Sequence, residues 1–416
     1  MSTKRKRVIF ISQWIHLDAE QGVIDYALEA NWILAGLAHH GGEVANVATL
    51  SADGIVTLLR NPGTPIVNYV RQSRSPVVDM ANNLPYLNLP RVIPDEFAIS
   101  RLAAEHLFDR GFRHFSFLMS ARLRQHQQRE QAFRSVVTSR GANYHTLDLI
   151  TFLNRNQRPP SFSQRAAWLA SKLNSLPKPL GVMLNYDVDL PLLTEACKIS
   201  GLEIPTDIAI VSAGNNFALC ELGELPLSSV DLNYRDHAYA AAALLDRLME
   251  GHAPPQSPEL IQPSHVVIRR SSDTFATTDT TVESALLFMR ANYATSSIRV
   301  ADVVQASGAS RRHLYTLFRS GLGKGVNEVL TDLRVSAAQS LLTDTDLKII
   351  YVAMQAGFSG HEHLIRCFTR VFGMTPSEFR KQGQQPSNKT SIDRNAAFDR
   401  VSISSSPKLF ALTESR

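Results

Sequence analysis

His361, Glu362, Ile365 and Arg366 recur at helical spacing along one side of a short segment, and Leu364, Phe368 and Phe372 recur along the other. The second set would bury the segment as a helix, leaving the first set outward. Just upstream, Val352, Ala353 and Ala356 make a small apolar face that Gly357-Phe358 interrupts. Glycine tolerates the backbone angles that a tight turn between helices needs. Gly373 and Pro376 then stop the second helix. Residues 350–380 thus have the layout of a helix-turn-helix whose second helix enters a major groove. The chemistry expected there is hydrogen bonding and packing against DNA.

A second unit of the same kind lies upstream. Residues 299–304 read as a first helix, Ser307-Gly308 as a turn, and SRRHLYTLFRS from Ser310 as the next helix. Ser310 suits an N-cap because its hydroxyl can accept from a free backbone N–H. Leu314, Leu317 and Phe318 would face the core, which leaves Arg311, Arg312, Tyr315, Thr316 and Arg319 as an exposed stripe. No acid occurs between Asp302 and Glu328, and such a local field suits phosphate. Residues 325–342 would form a connecting helix with Val329, Leu333, Ala337 and Leu341 on one face. At ~1.5 Å per residue it would be about 27 Å long. Successive major grooves on one DNA face are about 34 Å apart, so one chain could read two of them.

These helices need a scaffold, and composition bounds it. A chain of 416 residues, 44% hydrophobic, is long enough for two or three globular domains. No run is long and apolar enough for a transmembrane helix, so no membrane partner is expected. Basic residues followed by a short apolar run open the chain, but residues 8–12 are too few for a signal-peptide core. Cys197, Cys220 and Cys367 are spaced too widely for a disulfide framework or a zinc site, which fits a reducing cytoplasm. The net charge of +5 permits nucleic-acid binding without arguing for it.

The first two-thirds alternate buried strands, expected at 8–11, 54–57, 65–69, 115–118, 181–184 and 209–212, with helices at 96–110, 128–140, 166–173, 190–200 and 237–250. That alternation implies parallel sheets covered on both faces. The polar, Pro- and Ser-rich stretch after residue 251 marks a boundary, with a strand-like patch at 265–268. After Gln382 the sequence is polar and turn-rich.

The C-terminal pattern resembles the signature of AraC-type transcription regulators: Val352-Ala353, Gly357-Phe358, Arg366, Phe368, Arg370, Gly373, Thr375-Pro376 and Phe379-Arg380 stand where that family has them. Two other segments, IPDEFAISRLAAEHLFDRGFRHFSF and LGVMLNYDVDLPLLTEACKISGLEIPTDIAIVSAGNN with Pro226-Leu227-Ser228-Ser229-Val230 after it, look like LacI-type ligand-binding domains. The resemblance implies an α/β two-lobed periplasmic-binding-protein-like domain followed by an all-α double helix-turn-helix domain. The expected organisation is a ligand-binding and dimerisation domain at 1–270, a linker at 271–279, the DNA-binding domain at 280–382 and a disordered tail at 383–416. LacI-type proteins carry their DNA-binding helices ahead of the ligand domain; here only seven residues precede the first strand, and that unit is expected at the other end.

The AraC resemblance also implies roles. Base contacts would come from Arg312, Tyr315 and Thr316 in the first recognition helix and from His361, Glu362, Ile365 and Arg366 in the second. Arg can bond guanine bidentately, Glu can accept from cytosine, and Ile can pack on a thymine methyl. Arg311, Arg319, Lys324 and Arg370 would hold phosphates, which position without specifying.

The LacI resemblance places Arg129, Tyr186, Asp187 and Asn215 in a ligand cleft. Trp14, in the loop after the first strand, could stack on a sugar ring. A forked donor and a carboxylate can each bond adjacent hydroxyls. Structural alternatives stand beside these roles: Arg129 pairing with a nearby acid, Asp187 capping the next helix, Trp14 in the core. Gly214 and Tyr186 replace the Asp and Asn usual in that family, so either the ligand differs or the cleft holds none.

The expected function is a sequence-specific DNA-binding transcription regulator, sugar-responsive and an activator by analogy, acting as a homodimer on double-stranded operator DNA with RNA polymerase as a partner. The alternative is a constitutive regulator whose cleft is vestigial or takes a non-sugar effector. No catalytic residues, metal or cofactor are expected. Gly321–Gly325 lacks P-loop spacing, His361-Glu362-His363 lacks helical zinc spacing, and no nucleophile elbow occurs.

Overall fold

The computed structural model describes residues 5–13, 16–39, 51–155, 158–277, 279–295 and 298–384. The first lobe begins with β1 (Arg7–Ser12), α1 (Leu17–Glu29), β2 (Ile33–His39), β3 (Gly54–Leu58), α2 (Pro65–Gln72) and β4 (Val77–Asp79). Its sheet is parallel, in the order β2-β1-β3-β4. Side chains alternate across each strand. Val8, Phe10, Val56 and Val78 therefore pack on α1, and Ile9, Ile11, Ile55 and Val77 pack on Ile66, Val67 and Val70 of α2.

Residues 65–72 correct the reading of 65–69 as a strand. PIVNY is apolar enough for either state. Thr64, whose hydroxyl accepts from Val67 N at 3.5 Å, and Pro65 at the first helical position decide for helix.

The chain crosses through β5 (Val92–Pro94) into the second lobe: α3 (Glu96–Asp109), β6 (His114–Met119), α4 (Arg124–Ser139), β7 (Asn143–Asp148), α5 (Leu149–Arg155), α6 (Phe162–Ser175), β8 (Leu180–Leu184), α7 (Leu190–Ser200), β9 (Ile208–Ala213), α8 (Phe217–Glu221) and β10 (Ser228–Val230). It returns to the first lobe with α9 (Tyr234–Met249), pairs β11 (Glu259–Ile261) with β5, and adds β12 (Val266–Val267) antiparallel to β10. The second sheet runs β12-β10-β9-β8-β6-β7. Phe115, Phe117 and Met183 face α3 and α4, while Leu118, Val182 and Ile210 face α6 and α7. Two separate sheets joined by the short β5–β11 pair make the two lobes that the resemblance implied.

The all-α domain holds α10 (Thr280–Asn292), α11 (Val300–Ser307), α12 (Arg311–Leu317), a π-helical turn at Phe318–Leu322, α13 (Val326–Asp344), α14 (Ile349–Gln355), α15 (His361–Phe372) and α16 (Pro376–Gln384). It has two cores. Leu314, Phe318 and Leu322 pack with Val329, Leu330 and Leu333; Val352, Ala353, Leu364 and Phe368 pack with Val335, Ala338 and Leu342. The connecting helix α13 serves both, so it is buried on more than the single expected face, and Ala337 and Leu341 are only partly buried.

Residues 271–276, expected within a linker, are largely packed. Ser271 and Ser272 are fully buried, and their hydroxyls donate to Ile210 O at 2.8 Å and Ser228 Oγ at 2.7 Å. Polar composition reads as linker, but hydroxyls can equally be satisfied inside. The expected tail from 385 onward, and Trp14, lie outside the described residues.

Candidate nucleic-acid interface and ligand cleft

Both recognition helices form for local reasons. The Ser310 hydroxyl accepts from His313 N at 3.3 Å and starts α12. Gly308 sits at φ 68° in the turn before it. In the second unit Gly357, at φ 79°, makes the turn between α14 and α15. A Cβ at Gly357 would lie 1.9 Å from the Tyr293 carbonyl oxygen, so the turn of the second helix-turn-helix unit meets the end of α10 through a contact only glycine allows. Thr375 and Glu378 cap α16 reciprocally: Thr375 N donates to Glu378 Oε2 at 2.7 Å and Glu378 N donates to Thr375 Oγ1 at 3.3 Å.

On α12, Arg311, Arg312 and Thr316 are exposed, and so is Arg319 in the turn after it. Tyr315 is half-buried, packed against the first core with Arg311 over its ring at 5.6 Å. On α15, His361, Glu362, Arg366 and Arg370 are exposed and Ile365 is half-buried. The structure therefore gathers the sequence-predicted residues onto two outward helix faces. Lys324 departs from the expected phosphate set: it lies 2.8 Å from Asp332 and 3.7 Å from Asp109 of the ligand domain. Arg319 pairs with Glu328 at 3.3 Å, both half or more exposed; phosphate can displace so exposed a partner.

The two domains meet beside that lysine. Leu322 packs over Gly111, Ala276 N donates to Arg110 O at 2.8 Å, Gln339 Nε2 donates to Val266 O at 3.1 Å, and the His265 and Phe379 rings meet at 4.9 Å.

Between the lobes lies a cleft open to solvent. Its walls come from the carboxyl ends of parallel strands, where α/β folds place their sites: His16 after β1, Leu58 and Arg60 at and after β3, Tyr186 and Asp187 after β8, Gly214 after β9. Tyr186 and Asp187 line it as expected. Arg129 and Asn215 are not among the lining residues.

Arg129 is fully buried. Its Nε lies 2.7 Å and its Nη2 3.3 Å from the Glu96 carboxylate oxygens, while Nη1 donates to the Asn185 carbonyl. Burial works against its charge, but Glu96 more than restores it and raises its pKa. The structural alternative, pairing with an acid, is the arrangement present. Asn215 accepts from Arg269 Nη2 at 3.0 Å and donates to Asp231 at 3.2 Å. Asp187 is buried and accepts from Ser229 Oγ and Asn216 N, each at 2.8 Å. Burial pushes its pKa up against those bonds. Gly214, at φ 132°, faces that carboxylate: a Cβ there would lie 2.9 Å from Asp187 Oδ2. The missing family Asp is thus sterically linked to the position Asp187 takes.

Sequence reasoning missed His16, Arg60, Gln125 and Tyr234. For His16 and Arg60 one signal existed: each follows the carboxyl end of a parallel strand. His16 is 7% exposed, with its ring 3.8 Å from that of Tyr234. Burial lowers its pKa to about 4, although Asp231 pulls the other way, so the ring is neutral near pH 7.

Comparison with known proteins agrees with this anatomy. A periplasmic binding protein-like domain matches residues 104–272 and a helix-turn-helix domain matches residues 303–382. Fold and interface together define the class: a DNA-binding transcription regulator in which a periplasmic-binding-protein-like domain precedes a helix-turn-helix domain. Within that class the chain is similar to the xylose operon regulatory protein. It is 27% identical to that of Haemophilus influenzae over 338 residues, covering 80% of this chain and 85% of the relative. It is 28% identical to that of Escherichia coli K12 over 295 residues, covering 70% and 73%. The solved structure of a xylose-binding transcription activator covers 92% of this chain and 99% of its own at 24% identity, with a TM-score of 0.58. The regulator CcpA of Lactococcus lactis, at 19% identity and a TM-score of 0.52, shares the fold over 65% of this chain and all of its own.

Proposed function

We propose that this chain is a sugar-responsive transcription activator that binds double-stranded operator DNA as a homodimer in the cytoplasm and acts on RNA polymerase. The observation that carries the reading is the joining of a two-lobed cleft to two outward recognition helices on one 19-residue connecting helix. At ~1.5 Å per residue α13 is about 28 Å long, and the offsets of α12 and α15 from its ends supply the rest of the groove-to-groove distance of about 34 Å. The relatives named for a xylose operon supply the sugar class. A ligand acts here only through its differential affinity for lobe arrangements, transmitted where Leu322, Lys324 and Phe379 meet the ligand domain.

A second reading has its own support. Arg129, Asp187 and Asn215 all have protein partners, and Gly214 offers no carboxylate; a constitutive regulator with an idle cleft would look the same. One experiment separates them. Operator sequences are selected from random DNA with the full chain, and binding is followed by fluorescence anisotropy with and without D-xylose at several salt concentrations. Sequence-specific binding that shifts at least fivefold with sugar supports the first reading. Specific binding indifferent to every sugar supports the second. Binding with no preference among sequences sinks both.

A further inference from the structure

The cleft's own lining says more about the ligand than the relatives' names do. Leu58, Leu123, Val188 and Leu219 line it, with the rings of Tyr186 and Tyr234. Val188 is 41% exposed. An exposed apolar group in the wall of a site suits an apolar partner. The polar side chains expected to hold a sugar are engaged elsewhere, Arg129 with Glu96 and Asn215 with Arg269 and Asp231, both outside the lining, and Asp187 within it with Ser229 and Asn216. A Cβ at position 214 would lie 2.9 Å from Asp187 Oδ2, so a carboxylate there must displace Asp187.

One lining group remains unmatched. His16 Nδ1 is buried and has no hydrogen-bond partner. A buried polar atom left so is costly, and a ligand hydroxyl would satisfy it.

A free pentose or hexose presents hydroxyls on every edge, and each one buried against an aliphatic wall loses its water without replacement. A sugar whose anomeric oxygen carries an apolar group presents hydroxyls on one side and apolar surface on the other. That matches a cleft whose polar lining, the orphaned His16 nitrogen, the Arg60 guanidinium and a few amides, stands beside a largely apolar wall. We propose that the ligand of this cleft is a sugar bearing an apolar substituent, an alkyl or aryl glycoside, with His16 Nδ1 as hydrogen-bond partner of one of its hydroxyls. This rests on the reading of the chain as sugar-responsive.

The test is calorimetric titration of the full chain with D-xylose, D-glucose and D-galactose, with their 4-nitrophenyl β-glycosides, and with 4-nitrophenol. One glycoside is expected to bind at least tenfold more tightly than its parent sugar. Val188→Ser, at a half-exposed position, is expected to erase most of that advantage and leave folding intact. His16→Phe is expected to weaken the glycoside at least tenfold while the melting transition stays cooperative. Parent sugars that bind as well as their glycosides overturn the inference and leave the sugar reading standing. Binding of 4-nitrophenol alone overturns both, and so does the absence of heat with all seven compounds. An advantage that survives Val188→Ser together with unchanged binding by the His16 variant overturns the placement.

Discussion

Gly357→Ala is expected to push the second helix-turn-helix unit away from the end of α10 and abolish specific DNA binding. Gly357 sits at φ 79°, and the added Cβ would lie 1.9 Å from Tyr293 O, whereas real Cβ contacts essentially never fall below 3.0 Å. The carbonyl must therefore retreat by at least about 1.1 Å. That carbonyl accepts from Arg334 Nε at 3.0 Å, and Thr295 O accepts from Arg334 Nη2 at 3.1 Å, so the retreat breaks a bond from the connecting helix. A left-handed backbone costs a non-glycine residue about 1–2 kcal/mol. A hydrogen bond to a charged group contributes about 1.5–3 kcal/mol. Together the loss is about 2.5–5 kcal/mol, a large share of the roughly 5–15 kcal/mol that holds a domain folded. Gly373→Ala is the matched control: its φ is 71°, but nothing lies within 4 Å of the new Cβ, so only the backbone term applies. Urea unfolding of both variants, with operator anisotropy alongside, reads the difference. If Gly357→Ala is destabilised no more than Gly373→Ala, the close approach to Tyr293 does not hold the second unit in place.

Other outcomes follow from the same geometry. Arg366→Ala should weaken operator binding by about 1–3 kcal/mol and relax preference at one base pair, while Arg311→Ala should weaken all sequences alike and lower the salt slope by about 1; competition with single-base operator variants distinguishes them. Arg129→Ala leaves Glu96 buried without its partner, so it should cost about 3–5 kcal/mol in unfolding whether or not ligand is present. Burial holds His237 at about 4 against an ordinary 6.5, although its bond to Val92 O favours the cation. Between those values the unfolded chain carries the proton and the native one does not, so this group's contribution to stability is full above pH 6.5 and is lost as pH falls toward 4. His237→Gln should flatten that acid limb by up to one proton, about 1.4 kcal/mol per pH unit, in urea titrations at stepped pH. Burial also raises Asp79 to about 7 and Asp189 to about 6; these oppose the trend in both proteins and cancel in the comparison. Gly214→Asp should destabilise the ligand domain, because the new side chain meets the Asp187 carboxylate; a variant that melts like the parent would show that Asp187 can move aside.

The DNA-binding half was legible because its determinants are local. Spacing along a helix sets which residues are buried and which face out, so Leu314, Leu364 and Phe368 in the core, and Arg312 and Arg366 outside, could be read from periodicity. Gly357 and Ser310 carry their turn and cap in their own chemistry. The α/β alternation was equally readable, and 190–200 matched the observed helix at both ends. Two adjacent residues, Thr64 and Pro65, turned an apolar segment from strand into helix.

The cleft was decided elsewhere. Which partner Arg129 takes depends on Glu96, 33 residues away, and the fate of Asn215 depends on Arg269, 54 residues away. No local pattern encodes such pairs, because they exist only once the lobes have closed on their cores. Lys324 reads as a phosphate ligand in a stretch without acids, yet folding brings Asp332 and Asp109 to it. The sequence by itself determined most of the strand and helix alternation and the buried and outward faces of the two recognition helices, since those follow from period and propensity. Only tertiary structure decided which polar groups remain for a ligand, because a buried charge or amide goes to whichever partner the packed chain places within about 3 Å.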